Sequence, residues 1–125
     1  MLFDTDVLIW LLRNYLPAVR WVEGVAERQI SVVTYLELLQ GVRNRDELRL
    51  LKRFLAENAF QMLPLSEKIG HRAVLYLEEH ALSGGLGLGD ALVAATAVEH
   101  RLALCTANQR HYRPISELKI EVFRP

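Results

Sequence analysis

The sequence predicts an α/β protein built around a parallel sheet. Short apolar runs suited to buried strands alternate with stretches of helical period, which is the pattern of successive strand–helix units. No repeat, low-complexity tract or linker interrupts the alternation, and 125 residues suit one domain spanning 1–125.

Each element has its own signal. Met1–Phe3 reads as a short first strand, and Asp4-Thr5-Asp6 opens a helix through Val7–Arg13 because Asp and Thr cap well. Pro17 starts a helix over Pro17–Glu27, with Ala18, Val22, Val25 and Ala26 on one face. Gln29–Val33 is a second strand. Thr34 is expected to cap a helix over Tyr35–Val42, with Glu37 completing a capping box. Arg45–Glu57 is amphipathic through Leu48, Leu51, Phe54 and Leu55, and Phe60–Pro64 is a third strand. Ser66 caps a long helix to about Ala81. The glycine-rich Ser83–Gly89 reads as a flexible turn, after which Asp90 begins an apolar helix over Ala91–His100 that must be buried on most sides. Leu102–Thr106 is a fourth strand, Asn108–Tyr112 a loop or helical turn, and Lys119–Phe123 a last, edge strand. The sheet is thus mostly parallel with four to five strands.

Composition narrows the function classes. A hydrophobic fraction of 51% is ample for a core, so the chain should fold. Fifteen basic residues balance 15 acidic ones, which argues against a protein that coats nucleic acid by charge alone; a local basic patch remains compatible with zero net charge. The one cysteine, Cys105, lies in an apolar run and reads as a small buried hydrophobe. No leader and no apolar run of about 18 residues is seen, so a soluble, cytoplasmic protein without membrane contact is expected.

Acids stand where apolar elements meet polar turns. Asp4 ends the first strand, Glu37 sits between Leu36 and Leu38, Asp90 opens the buried helix, and Asn108 follows the fourth strand. In an open parallel sheet the carboxyl ends of the strands face one crevice, so these side chains can converge. Packed carboxylates raise one another's pKa, and a divalent cation removes that cost. Carboxylates without His or Cys partners suit a hard cation such as Mg²⁺ or Mn²⁺, which can activate water against a phosphodiester. Each acid alone also reads as a helix cap or an N-terminal helix acid.

Four blocks resemble the PIN-domain family, specifically its VapC-type toxins. They are Leu2-Phe3-Asp4-Thr5-Asp6-Val7-Leu8-Ile9; Ser31-Val32-Val33-Thr34-Tyr35-Leu36-Glu37-Leu38 with Gly41; Gly89-Asp90 with Ala91–Ala97; and Leu104-Cys105-Thr106-Ala107-Asn108 with Tyr112 and Pro114. The resemblance runs the whole length. It implies a three-layer α/β/α fold, a metal-dependent endoribonuclease toxin, and inhibition by a cognate VapB-like antitoxin. Asp4, Glu37 and Asp90 match the family's main acids, and Asn108 falls where many members carry a fourth Asp. Asp6 stands where the family often has Ser or Asn; it either supplies the missing charge or caps the helix, and the cap is the favoured reading. Thr5 and Thr106 could orient a ligand or simply cap backbone.

Arg43, Arg45, Arg49, Lys52 and Arg53, with Arg13, Arg110 and Arg113, are candidates for the RNA backbone, or else form a solvated helix face. Trp10, Trp21, Tyr15 and Leu12 read as core, or as part of an apolar groove for an antitoxin helix or a homodimer face. The four histidines show no metal-ligand spacing. A haloacid-dehalogenase-type phosphatase, with Asp4 as nucleophile and Asp6 as general acid, is a rival reading. A PIN-fold binding module without activity is another. Dinucleotide binding at Gly84–Gly89 fails because the glycines follow a helix rather than a strand.

Overall fold

The computed structural model describes residues 1–125. Five strands, β1 (Leu2–Phe3), β2 (Arg28–Ser31), β3 (Phe60–Leu63), β4 (Leu104–Thr106) and β5 (Ile120–Val122), form one sheet in the order β3-β2-β1-β4-β5. Every pairing is parallel. Seven helices connect them: α1 (Thr5–Leu12), α2 (Leu16–Glu23), α3 (Val32–Gln40), α4 (Arg45–Glu57), α5 (Glu67–Gly84), α6 (Leu88–Glu99) and α7 (Gln109–Tyr112).

Strand alternation divides the interior into two cores. Leu2 and Leu104 point to one face and join Ile69, Ala73 and Tyr76 of α5 and the small residues of α6. Phe3 and Cys105 point to the other, against Val7 and Leu8 of α1, Val22 of α2 and Leu51 of α4. The result is the expected three-layer α/β/α build. Helix α6 is buried along Ala91, Val93, Ala94, Ala95 and Ala97, and their small side chains let it lie close to α5. No helix is long and apolar enough to cross a membrane.

Several boundaries differ from the sequence reading, each for a local reason. Helix α2 stops at Glu23 because Gly24 is its C-cap, so Val25 and Ala26 lie beyond it despite their helical spacing. Ser31, not Thr34, caps α3, its hydroxyl accepting from the Val33 N–H at 3.0 Å. Glu37 is therefore a mid-helix residue and no capping-box partner. The glycine-rich segment is mostly helix. Helix α5 runs to Gly84, whose missing Cβ would meet Pro114 Cγ at 3.2 Å, and Gly85 (φ 68°) ends it in the left-handed conformation. Helix α6 then begins at Leu88, which makes Asp90 its third residue rather than its opener.

Candidate active site

The strand order reverses its direction of growth between β1 and β4, so a crevice opens beyond their carboxyl ends. Asp4 follows β1 directly and caps α1, its Oδ1 accepting from the Thr5 N–H at 2.9 Å. Its Oδ2 accepts from the Thr106 hydroxyl at 2.8 Å and from the Tyr112 phenol at 3.0 Å. Asp4 is 7% exposed, so this carboxylate is a buried group with three donors.

Tyr112 also donates to Asp90 Oδ1 at 3.3 Å. One hydroxyl therefore bridges acids from β1 and α6. The other Asp90 oxygen accepts from the Gly87 N–H at 3.3 Å and lies 3.6 Å from His111 Nδ1. Glu37 reaches the same crevice from α3, where its Oε1 accepts from the Thr5 hydroxyl at 2.7 Å. A Cβ on Gly89 would sit 3.7 Å from Glu37 Oε2, an ordinary contact distance, so the Glu37 carboxylate lies close to the start of α6 next to Asp90.

Asp6 is not the cap of α1 that the sequence favoured: Asp4 is the N-cap, and Asp6, in the first turn, turns its side chain to the loop after β4. Its Oδ2 accepts from the Ala107 N–H at 3.1 Å and lies 3.5 Å from the Thr106 hydroxyl. Its Oδ1 is buried without any hydrogen-bond partner. Asn108 is exposed beside it, and its N–H donates to Thr106 Oγ1 at 2.9 Å.

Electrostatics follow from this crowding. Burial pushes the Asp4 carboxyl up to about 6, and the neighbouring Asp6 charge adds to the rise, against hydrogen bonds from Thr106, the Thr5 N–H and Tyr112. Burial also raises Asp6, opposed chiefly by the Ala107 N–H. Tyr112 is held protonated by burial and by the Asp4 and Asp90 charges. Burial lifts the Cys105 thiol to about 12, consistent with a packing role.

Every carboxylate singled out in the sequence thus lines one crevice. They do not close into a ready ligand set: no three His, Cys, Asp or Glu side chains stand at ligating distance. The donors are nevertheless almost all hard oxygens, and a buried Asp6 oxygen without a donor beside a buried Asp4 suits a cation.

The basic candidates divide. Arg43 is held by Glu47 at 2.8 Å, and Arg13 lies 5.7 Å from the Trp10 ring centroid. Arg110 is exposed on α7, two residues before Tyr112. Trp10 packs on Tyr15, and Trp21 meets Phe123 edge-on, so both indoles belong to the second core. Sequence reasoning missed Tyr112 and His111 as site residues. Tyr112 could have been flagged as an aromatic one short turn past the strand that ends in Thr106.

A family model for the PIN domain matches residues 1–115, and the chain belongs to the PIN-domain family. Within that family its relatives are VapC ribonucleases. Ribonuclease VapC10 of Mycobacterium tuberculosis is 38% identical over 123 residues, covering 95% of this chain and 90% of the relative. A toxin–antitoxin complex from Klebsiella pneumoniae is 30% identical with a TM-score of 0.78, over 94% of this chain and 93% of that one. VapBC2 from Rickettsia felis, bound to a DNA fragment from its promoter, shares the fold with a TM-score of 0.84 at 20% identity, over 98% of both chains.

Proposed function

We propose that this single-domain chain is a divalent-metal-dependent endoribonuclease, the toxin half of a VapBC-type pair acting in the cytoplasm. The observation that carries the reading is the Tyr112 hydroxyl held between Asp4 and Asp90. It ties acids from two distant elements into one oxygen-lined site. The ribonuclease relatives supply the substrate class.

Asp4, Glu37 and Asp90 would hold the metal, with Asn108 through its amide oxygen and Asp6 through its free oxygen as further donors. Bound there, Mg²⁺ or Mn²⁺ supplies an acidified water and a counter-charge for the phosphoryl oxygens. Thr106 and the Thr5 N–H fix the two Asp4 oxygens, and Tyr112 orients Asp4 and Asp90 together. The Thr5 hydroxyl restrains Glu37 at the mouth. Membership in the PIN family displaces the phosphatase reading based on Asp4 and Asp6.

A cleft of about 820 Å³ leads away from Thr5 and Glu37 between α1, α3 and α4. Its apolar wall includes Ile9, Leu12, Leu38, Leu50 and Phe54. This groove, rather than Trp10 and Trp21, is the surface suited to a helix of a VapB-like antitoxin. A basic side chain on the antitoxin would complete the inhibition by sitting against the acids. A homodimer is the expected assembly.

The test is cleavage of RNA with Mg²⁺ or Mn²⁺ by the wild type and Asp90→Asn, with EDTA as control. Endonucleolytic cleavage that needs metal and is lost in the variant is expected. Equal cleavage by both proteins would overturn the assignment, and cleavage by neither would favour a binding module.

A further inference from the structure

Arg43, just before α4, pairs with Glu47, and Arg49 on α4 pairs with Asp46, while Arg45, Lys52 and Arg53 are spread along that helix rather than gathered round a concavity beside the acids. Arg72 likewise bridges Glu99 and Glu117. A second group is different. Arg110, Arg113 and Arg124 line one cavity of about 540 Å³ between α7 and the end of β5. None of the three enters a salt bridge with the chain, and with the Pro125 carboxylate counted the lining is still net positive.

This cavity abuts the acids. Asn108 and His111 belong to its wall. His111 Nδ1 lies 3.6 Å from Asp90 Oδ2, and the Asn108 N–H donates to the same Thr106 oxygen whose hydroxyl donates to Asp4. Helix α7 therefore presents Tyr112 to the acids and Arg110 to the cavity. Like charges gathered around a concavity without counter-charge concentrate anions there, and arginine forks match phosphate oxygens in two-point contacts.

We propose that this cavity is a backbone-phosphate subsite, holding single-stranded RNA on the β4–β5 side of the scissile bond. The proposal deepens the ribonuclease reading and rests on it. It moves the RNA contacts from Arg13 and Arg43 to Arg110, Arg113 and Arg124. Contacts to phosphates fix the strand's position without reading its sequence.

The test is fluorescence anisotropy with a labelled, mixed-sequence single-stranded oligoribonucleotide in EDTA, over a series of salt concentrations. The proteins are the wild type, Arg110→Ala/Arg113→Ala/Arg124→Ala, and a charge-matched Arg45→Ala/Arg49→Ala/Lys52→Ala on α4. Circular dichroism and melting check the fold, with Arg113→Gln and Arg124→Gln singly as milder variants. The cavity triple variant should bind roughly tenfold more weakly. Its log-affinity should lose about 2 from its slope against log salt, since each phosphate contact on a single strand contributes about 0.7. The α4 variant should change neither. With Mg²⁺ the cavity variant should raise KM and leave kcat in place. Wild-type affinity and slope in the cavity variant, or an equal loss in the α4 variant, would overturn the subsite. Arginine-dependent RNA binding without any metal-dependent cleavage would instead overturn the ribonuclease reading and leave the subsite standing.

Discussion

The Thr106 hydroxyl donates to Asp4 Oδ2 at 2.8 Å while its oxygen accepts the Asn108 N–H at 2.9 Å. One side chain at the end of β4 thereby sets both the buried acid of β1 and the start of the loop that carries Asn108. Thr106→Val keeps the shape and removes both bonds. It leaves a buried carboxylate short of a donor, which costs on the order of 1–3 kcal/mol. The acid limb of the pH–rate profile should move to higher pH, because a bond favouring ionised Asp4 is lost. Thr106→Ser should restore both. A variant that loses stability without moving the limb would assign Thr106 to packing alone.

Tyr112→Phe removes the hydroxyl shared by Asp4 and Asp90 and retains the fully buried ring. Loss of a hydrogen bond to charged groups predicts about 1.5–3 kcal/mol. The expected outcome is a fall in kcat with little change in KM, since the phenol orients acids and does not face the RNA path. Steady-state kinetics beside urea unfolding separate the two effects. An unchanged kcat would show that the acids hold their places without it.

Stability should fall as pH rises through the Asp4 transition. Its folded value of about 6 lies above the ordinary 3.8. Asp4 therefore contributes stability that is fully present below about pH 4 and lost as pH rises through about 6. The loss is on the order of 3 kcal/mol, and Asp6, also raised, acts in the same direction. Glu47 and Glu117 are lowered and act the opposite way in a more acidic window. Metal-free urea unfolding at pH 4, 6 and 8 measures the sum. A flat or rising profile from pH 5 to 8 would contradict it.

Metal should reverse that loss. Mg²⁺ or Mn²⁺ at about 100 times its Kd adds about 2.7 kcal/mol to the folded state. The increment should be larger at pH 7.5 than at pH 5, where protons compete for the same oxygens. Asp4→Asn should abolish it. Thermal melts with and without metal test this, and equal increments at both pH values would place the ion elsewhere.

The sequence made the sheet, its parallel sense and the position of Asp4 legible, because strands, caps and turns have local signals. Glu37 was found as an acid set between leucines; what failed was its rival reading as a capping-box partner of Thr34, because Ser31 holds the helix start. The glycine run was misread because Gly84 reads locally as a breaker, while α5 includes it, closes on Gly85, and at Gly84 packs too near Pro114 for a side chain. Tyr112 was named only as part of the fourth block and given no role, because its partner Asp4 lies 108 residues away. The pairing of Arg43 with Glu47 and of Arg49 with Asp46 was by contrast legible, since both are neighbours at helical spacing.

Thr34 offers a test free of the chemistry. It is fully buried within α3, and its Oγ1 has no hydrogen-bond partner. A buried hydroxyl without a partner destabilises the fold, and valine has nearly the same shape with a methyl in its place. Helix propensity changes little between the two β-branched residues. Thr34→Val should therefore stabilise the protein by about 1 kcal/mol and raise Tm by roughly 2–8 °C. RNA cleavage should be unaffected, because Thr34 points into the interior while Glu37, one turn on, faces the crevice. A lower Tm would mean that the hydroxyl is satisfied by an ordered water, and would move Thr34 from a stability liability to a structural contact.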